Sequence, residues 1–353
     1  MAAFSLSRQD TSIMKGIAIC AMLLHHLYAS PITESIESYG GFLRWIGIVG
    51  KVCVSIFLFC SGYGMSVQYR KVESWSDSTV FLRRRLIKLY TNFWVVYAIF
   101  VPITVFFFNR PLSAAYGYHT HLYKEVASVF LDLLCIPSPW RSPYNVTWWF
   151  NQLILVMYLL FPLTIWFVRK AGVVISLAAG FLVFCFYQHI PFGMNNWSLW
   201  QFSFLLGIVW SFMENRIPDR YNALVKGRYS SWIAVLVLVI LTFLRMTRSR
   251  FWTGLHMDAF ITVALAFFVL SLQNKDSYFC RAFAFLGKHS INIYLIHTFL
   301  NGYWHPECLH TSAWMRCGAN FFILMSICIV MSMTLELLKE RLGIYKLSNI
   351  IIG

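Results

Sequence analysis

Charged residues are scarce in this sequence, and acidic residues are the scarcest of them. Only 12% of the 353 residues are charged, with 14 Asp and Glu against 29 Lys and Arg. A soluble domain carries about twice that charged fraction, so the composition argues against a soluble protein. The chain is instead 59% hydrophobic and 18% aromatic. Such a composition is typical of membrane helices whose aromatic residues form belts at the two interfaces.

Several other patterns are missing. The nine cysteines are scattered and odd in number, which does not indicate a disulfide scaffold. No Cys and His cluster has the close spacing of a zinc site, so we predict no metal. No internal repeat, low-complexity tract or separate soluble domain is visible, and we predict a single domain over residues 1–353.

The apolar segments predict an all-α fold, a polytopic transmembrane helical bundle with both termini in the cytoplasm. Each segment is near the length that crosses about 30 Å of hydrocarbon. About 20 of the 29 basic residues then lie on the cytoplasmic side, as the positive-inside rule requires. The net charge of +15 therefore reflects topology in a lipid bilayer, with no nucleic acid partner. We predict about ten spans, at 12–29, 46–68, 89–108, 147–168, 172–188, 197–213, 230–246, 254–272, 286–304 and 317–338.

The first span carries two ionisable residues on one helical stripe. Lys15 and His26 are eleven residues apart, which places them about 20° apart around a helix and about 16 Å apart along it. Ionisable groups inside a membrane are candidate functional residues. His25 points about 100° away from the stripe, so His26 is the preferred candidate. Hydration of both histidines near the headgroups is the alternative.

A basic run lies in the predicted cytoplasmic loop after the second span, residues 70–88, where Arg83, Arg84, Arg85 and Lys88 lie within six residues. Arg85 and Lys88 share a helix face. Two interpretations stay open for this run. It binds phosphate groups, as guanidinium groups do in bidentate fashion, or it contacts anionic lipid and sets the topology.

Polar residues interrupt three other spans. Ser61, Gly62 and Tyr63 end the second span, where small residues permit close helix packing or a local break. Asn151 in the fourth span needs a partner on another helix or on a substrate. The ninth span holds Tyr294 and His297, and His297 lies about as deep as His26. Two histidines at similar depth fit a shared cavity, although a lone histidine is more often structural.

Together these segments resemble the acyltransferase-three family of integral-membrane O-acyltransferases. The resemblance spans nearly the whole chain in the right order. Its motifs are Lys15 through His26, Phe57-Leu58-Phe59-Cys60-Ser61-Gly62-Tyr63, the pair Arg85 and Lys88, Trp148-Trp149-Phe150-Asn151, and Gly287-Lys288-His289-Ser290 with Tyr294-Leu295-Ile296-His297. Lys15 and Lys88 stand where the family usually has Arg, which keeps the charge but loses the guanidinium fork.

The resemblance implies transfer of an acyl group, commonly acetyl from cytoplasmic acetyl-CoA, to a hydroxyl of a cell-surface or exported glycan at the plasma membrane. His26 would act as general base or transient acyl carrier, with Lys15 nearby and His297 orienting His26 or the acceptor. The diphosphate of acyl-CoA would dock on the run from Arg83 to Lys88.

Ser61, Tyr63, Asn151 and Tyr294 are the candidate oxyanion donors. The outer loops at 109–146 and 301–316 are expected to shape acceptor choice. A multi-span exporter of a glycan or lipid-linked precursor is the alternative. It would be expected to show inverted repeats or paired broken helices, and neither is visible in the sequence.

Overall fold

A computed structural model describes residues 4–29, 41–72, 74–113, 121–139, 142–189, 195–214, 216–217, 222–247, 254–304 and 317–352. Of these residues, 85% are helical, and no strand occurs among them. This confirms the predicted all-α class.

The described residues are arranged in a series of helices. Turns of 3₁₀ helix lie at Val146–Trp148, Tyr187–His189 and Gly254–His256, and a π-helical turn lies at Phe299–Tyr303. The α-helices are α1 (Arg8–Tyr28), α2 (Gly41–Gly50), α3 (Cys53–Tyr69), α4 (Trp75–Phe107), α5 (Leu122–Leu133), α6 (Trp149–Ala171), α7 (Val173–Cys185), α8 (Asn195–Met213), α9 (Ala223–Lys226), α10 (Ser230–Met246), α11 (Met257–Ser271), α12 (Tyr278–Lys288), α13 (Ser290–Thr298), α14 (Cys317–Arg341) and α15 (Ile344–Ile352).

Four helical stretches in the described part of the chain are long and apolar enough to cross a membrane. They are Phe42–Tyr69, Ser76–Phe107, Val146–Ala171 and Gly318–Arg341. Shorter apolar helices occur at α7, α10 and α11. The multi-pass character of the chain is therefore supported, while the count of ten spans and the side of each terminus stay predictions.

The outer faces of these helices are apolar, as lipid contact requires. Along α10, the exposed side chains include Trp232 at 73%, Leu236 at 59% and Phe243 at 64%. A soluble monomer rarely exposes so continuous an apolar surface. In lipid, unlike in water, exposure of this apolar face carries no free-energy penalty.

The chain forms two compact units, described separately. Unit 1 comprises residues 1–25, 44–74 and 160–290, and unit 2 comprises residues 26–43, 75–159 and 291–353.

Glycines bring backbones close together in unit 1. A Cβ on Gly62 of α3 would collide with the carbonyl oxygen of Phe204 on α8, and a Cβ on Gly207 of α8 would collide with that of Phe59. Gly16 of α1 and Gly287 of α12 form a second such contact through the carbonyls of Phe283 and Ser12. Close approach through small residues is how membrane helices gain packing energy. The close-packing interpretation of the Ser61-Gly62 segment is thus confirmed for Gly62.

A buried lysine ties together three helices of unit 2. Lys339 of α14 is fully buried. Its Nζ donates to Asn92 Oδ1 of α4 at 2.7 Å, to Asn292 Oδ1 of α13 at 2.8 Å and to Glu336 Oε1 at 2.9 Å. All three ammonium protons are used, which is the condition for a buried cation to be tolerated.

Two elements differ from the sequence prediction. The basic run at 83–88 lies inside the continuous helix α4 and not in a loop. The ninth span is broken at His289 and ends in the π-helical turn. Helix α5 is amphipathic, and Cys135 lies just after it with φ 55°. At the end of α10, Arg245 pairs with the buried Asp258.

Candidate active site

Two histidines meet in unit 2. The ring centroids of His26, near the end of α1, and His297, on α13, are 4.9 Å apart at an interplanar angle of 42°. His297 is fully buried, while His26 is partly exposed. Asn301 Nδ2 also donates to the main-chain oxygen of His26 at 3.1 Å, which fixes the end of α1 against the π-helical turn. The structure therefore brings together the two histidines that the sequence singled out.

The tautomer of His297 follows from its partners. Its Nδ1 lies 2.8 Å from the carbonyl oxygen of Tyr294. A carbonyl only accepts, so Nδ1 carries a proton. The other nitrogen, Nε2, lies 3.3 Å from the hydroxyl of Thr298. In a neutral imidazole Nε2 is then an acceptor, and the Thr298 hydroxyl donates to it.

A chain of hydroxyl groups extends from Nε2. Thr298 Oγ1 lies 2.9 Å from Thr147 Oγ1, which in turn lies 2.8 Å from Asn145 Oδ1. All three side chains are buried. If His297 gains a second proton, Nε2 donates to Thr298, Thr298 donates to Thr147, and Thr147 donates to the Asn145 oxygen. The chain can therefore satisfy both protonation states of His297 simply by rotating hydroxyls.

The start of α6 lies against α13. Trp148, in the 3₁₀ turn before α6, donates from Nε1 to the carbonyl of Leu295 at 3.3 Å. Tyr294 donates its hydroxyl to the carbonyl of Thr147 at 2.9 Å, and its ring is 5.5 Å from that of Phe150. The Tyr294 hydroxyl thus anchors α13 to the segment before α6.

Asn151 has a spare donor. The side chain is buried, and its Nδ2 has no hydrogen-bond partner among the described residues. Leaving a buried amide donor unbonded costs about 1–3 kcal/mol. The neighbouring Gln152 differs, because its Nε2 reaches the carbonyl of Ile136 at 3.5 Å. Asn151 is therefore the residue of the two that is available to a substrate.

The basic run on α4 has one half-buried member. Arg83 and Arg84 are exposed, as is Lys88, and Arg83 donates to the carbonyl of Ile351 on α15. Arg85 is half-buried with its guanidinium 5.4 Å from the Phe81 ring centroid. Its Nη2 is buried without a hydrogen-bond partner among the described residues. Arg85 thus presents a desolvated donor that suits an anion.

The remaining candidates belong to unit 1. Lys15 is partly exposed on α1, and Ser61 is half-buried on α3. The Tyr63 hydroxyl lies 2.7 Å from Glu214 Oε2 and accepts from the backbone N–H of Leu6 at 3.0 Å.

The adjacent histidine, His25, also belongs to unit 1. Its Nδ1 lies 2.8 Å from the carbonyl oxygen of Gly47 on α2. Its observed contact is therefore to a neighbouring helix, as expected for a side chain that points away from the stripe of Lys15 and His26.

Loop residues cover one end of unit 2. Arg110 lies with its guanidinium 3.4 Å from the Tyr303 ring centroid and 5.1 Å from that of Tyr144. Tyr144 donates its hydroxyl to the Arg110 carbonyl at 2.9 Å, and its own N–H is bound by Asp132. Burial raises the pKa of Tyr144 to about 12, while the Arg110 charge acts in the opposite direction. The phenol is therefore a stable donor, and it joins the loop after α4 to the loop before α6.

The sequence did not single out Thr147, Thr298 or Asn145. Threonine in an apolar segment usually bonds to the backbone of its own helix. The residue type alone therefore does not indicate a functional role. Their partnership appears only when α13 packs beside the 3₁₀ turn. No group of three or more potential ligands for a metal occurs in the described part of the chain.

The sequence of this chain matches one protein-family model over nearly its whole length. A family model for an acyltransferase domain, Acyl_transf_3, matches residues 10–339, nearly the whole chain. No curated protein and no solved structure gives a significant match. The match covers α1 with its two candidate residues, the paired histidines and the buried end of α14. The chain therefore belongs to the acyltransferase-3 family of membrane acyltransferases.

Proposed function

We propose that this protein is a membrane O-acyltransferase that moves an acyl group, most simply acetyl, from cytoplasmic acyl-CoA to a hydroxyl of an extracytoplasmic or exported glycan. The observation that carries the proposal is the contact between His26 and His297 in a chain of this family. Family membership favours acyl transfer over the exporter alternative. The plasma membrane as location and the glycan as acceptor follow from the resemblance of the motifs.

The chemistry requires a base that titrates near neutral pH, and imidazole is the side chain that does so. As general base, His26 removes the proton of the acceptor hydroxyl while the oxygen attacks the thioester carbonyl. When the tetrahedral intermediate collapses, the C–S bond breaks and the thiolate takes the proton from the imidazolium. Free CoA and the ester are the products.

As acyl carrier, His26 would instead attack the thioester first and pass the acyl group to the hydroxyl in a second step. The two routes differ in one measurable way. Only the carrier route releases free CoA in a single stoichiometric burst when no acceptor is present.

His297 supports either route. Its ring lies against His26, and the hydroxyl chain behind it accommodates a proton on Nε2 without leaving a buried group unbonded. A positive charge that develops on the histidine pair is therefore stabilised by groups already in place. Preorganised dipoles of this kind are effective because they need no rearrangement during the reaction.

Polar donors in unit 2 suit the other parts of the donor substrate. The spare Nδ2 of Asn151 is a candidate to bind the oxyanion of the thioester carbonyl. Arg85, with Arg83, Arg84 and Lys88 beside it on α4, is a candidate for the diphosphate of acyl-CoA. Lys15, Ser61 and Tyr63 in unit 1 stay candidates, although the hydroxyl of Tyr63 already has Leu6 and Glu214 as partners.

The decisive experiment measures turnover of labelled acetyl-CoA by the purified protein in proteoliposomes. His26→Asn is compared with His25→Asn, the same substitution at the adjacent position. Asparagine at 25 keeps a donor for the Gly47 carbonyl, whereas asparagine at 26 removes the titrating group. We expect His26→Asn to lower turnover by about 100-fold or more, which is the usual contribution of a general base, and His25→Asn to retain most of it.

Both variants must reach the membrane in amounts equal to wild type, as measured by quantitative immunoblotting. Equal losses in the two variants, or a larger loss at His25, would refute the assignment of His26. Absence of acetyl-CoA binding and turnover in the wild type would instead reject acetyl-CoA as the donor.

A further inference from the structure

A cavity in unit 1 is lined by three arginines. Its volume is about 220 Å³, and Arg70, Arg169 and Arg216 contribute their side chains together with the hydroxyl residues Ser66 and Ser211. Arg70 follows α3, Arg169 is near the end of α6, and Arg216 follows α8. Three chain segments that are far apart in sequence thus converge on one opening.

The positive charge of this cavity is largely uncompensated. Arg70 Nη2 donates to Glu214 Oε1 at 2.6 Å. The second oxygen of Glu214 accepts from the Tyr63 hydroxyl at 2.7 Å, so that this buried carboxylate is fully engaged. Among the described residues, Arg169 and Arg216 make no ion pair, and no carboxylate lines the cavity.

The arginines are held in place by contacts other than ion pairs. Arg169 lies over the ring of Tyr69 at 5.4 Å from the centroid, and Tyr69 packs edge-on against Phe161 at 5.2 Å. Arg70 is fixed by Glu214 and by the carbonyl of Ser211. Two guanidinium groups are therefore oriented before any ligand arrives, which lowers the entropic cost of binding.

We propose that this cavity is a binding site for a phosphate group. Guanidinium forks match phosphate oxygens in geometry and charge. The volume is below the roughly 300–1,000 Å³ of sites that enclose a whole small molecule. The cavity therefore takes the phosphate of a larger molecule whose remainder lies outside. The residues that line the cavity belong to unit 1, whereas the basic run on α4 belongs to unit 2. The phosphate site does not depend on the proposed reaction.

Two kinds of molecule can supply the phosphate group. One is a soluble phosphate ester, and the other is an anionic lipid with its headgroup. The soluble arm titrates inorganic pyrophosphate into the full-length protein in phosphatidylcholine nanodiscs, with isothermal calorimetry as the readout. The lipid arm measures phosphatidylglycerol retained by the protein during native mass spectrometry from mixed nanodiscs. Neither arm contains acyl-CoA, so failure of the acyltransferase proposal leaves both readouts intact.

The test variant is Arg169→Gln with Arg216→Gln, which keeps Arg70 so that Glu214 stays paired. The matched control is Arg228→Gln with Arg281→Gln, because those two arginines are also exposed and also belong to unit 1, and each lies over a tyrosine ring as Arg169 does. We expect the cavity variant to weaken binding of at least one probe about tenfold or more, as loss of charge-assisted hydrogen bonds does. The control should retain the wild-type affinity.

Weaker pyrophosphate binding supports the site and assigns it to a soluble ester, and weaker phosphatidylglycerol retention supports it and assigns it to lipid. Equal affinities in the cavity and control variants for both probes overturn the proposal. The wild type gives an independent check, since binding of a phosphate by exposed arginines must weaken as sodium chloride is added. Binding to the wild type that does not respond to salt also overturns it.

Discussion

At the scale of single residues, Thr298 provides the hydrogen-bond partner of His297 Nε2 in both protonation states of the ring. Its hydroxyl donates to Nε2 when the ring is neutral and accepts from it when the ring is protonated. Thr298→Val keeps the shape but removes both functions. We expect kcat to fall about tenfold or more, since an unmet buried hydrogen bond costs about 1–3 kcal/mol, with little change in KM for acyl-CoA. Steady-state kinetics in proteoliposomes measure both.

Thr298→Ser provides the matched control because it restores the hydroxyl. If valine acts only by disturbing the packing of α13, serine will not recover kcat, since it removes a methyl group that valine retains. Loss of activity in both variants, or a rise in KM alone, would contradict a role in positioning His297.

Residue-level prediction from sequence succeeded where helical geometry alone decides. Lys15 and His26 lie on one continuous helix. The sequence predicts this because a span in lipid must satisfy its backbone hydrogen bonds within itself. Prediction failed where a partner from another element is needed. The chain from His297 through Thr298 and Thr147 joins residues 147 and 298, and nothing in either local sequence indicates the other.

At the scale of helices, the approach of α3 to α8 depends on Gly62. A Cβ there would collide with the Phe204 carbonyl, while a Cβ on Gly64, two residues on, would meet no described atom within 4 Å. Inside a helix Gly→Ala is favourable by about 1 kcal/mol, but overpacking a tight contact costs about 1–3 kcal/mol. We therefore expect Gly62→Ala to lower the Tm of the purified protein in detergent and Gly64→Ala to leave it equal or higher.

The comparison is informative because the two substitutions are identical and only two residues apart, yet their expected effects on the Tm differ. A Tm that falls equally in both variants would indicate a general cost of alanine at the end of α3. A Tm that is unchanged in Gly62→Ala would show that the helices separate at no cost. Circular dichroism during heating gives the measurement.

Element boundaries show why the basic run was placed in a loop. Charged residues end the apolar stretch that crosses the membrane, but they do not end the helix. Helix α4 begins at residue 75 and therefore contains the whole basic run. The break of the ninth span is similar. His289 separates α12 from α13 and a π-helical turn ends the span, although the local sequence from Ser290 to Tyr303 is apolar enough to continue a helix.

At the scale of the whole molecule, acyl transfer across a membrane depends on which side each end of a helix faces. The predicted topology places the start of α1 and the basic run on α4 in the cytoplasm, where acyl-CoA is found. Arg70, Arg169 and Arg216 fall on the same predicted side. From the sequence, the three arginines count only among the basic residues of the cytoplasmic side. The local sequence around each arginine does not indicate that the three side chains line one cavity.

The topology itself yields the last prediction. Arg8 and Lys346 are exposed near the two ends of the described chain, and His121 is exposed in the predicted outer connection. Each is replaced by cysteine in a variant whose nine native cysteines are serine. A membrane-impermeant maleimide applied to intact cells should label His121→Cys at once, and Arg8→Cys and Lys346→Cys only after permeabilisation, since an even number of spans returns both ends to the cytoplasm.

Labelling of one end alone would require an odd number of spans. Labelling of both ends in intact cells would place the basic run on the side that lacks acyl-CoA, and the donor-binding role of Arg85 would then be untenable.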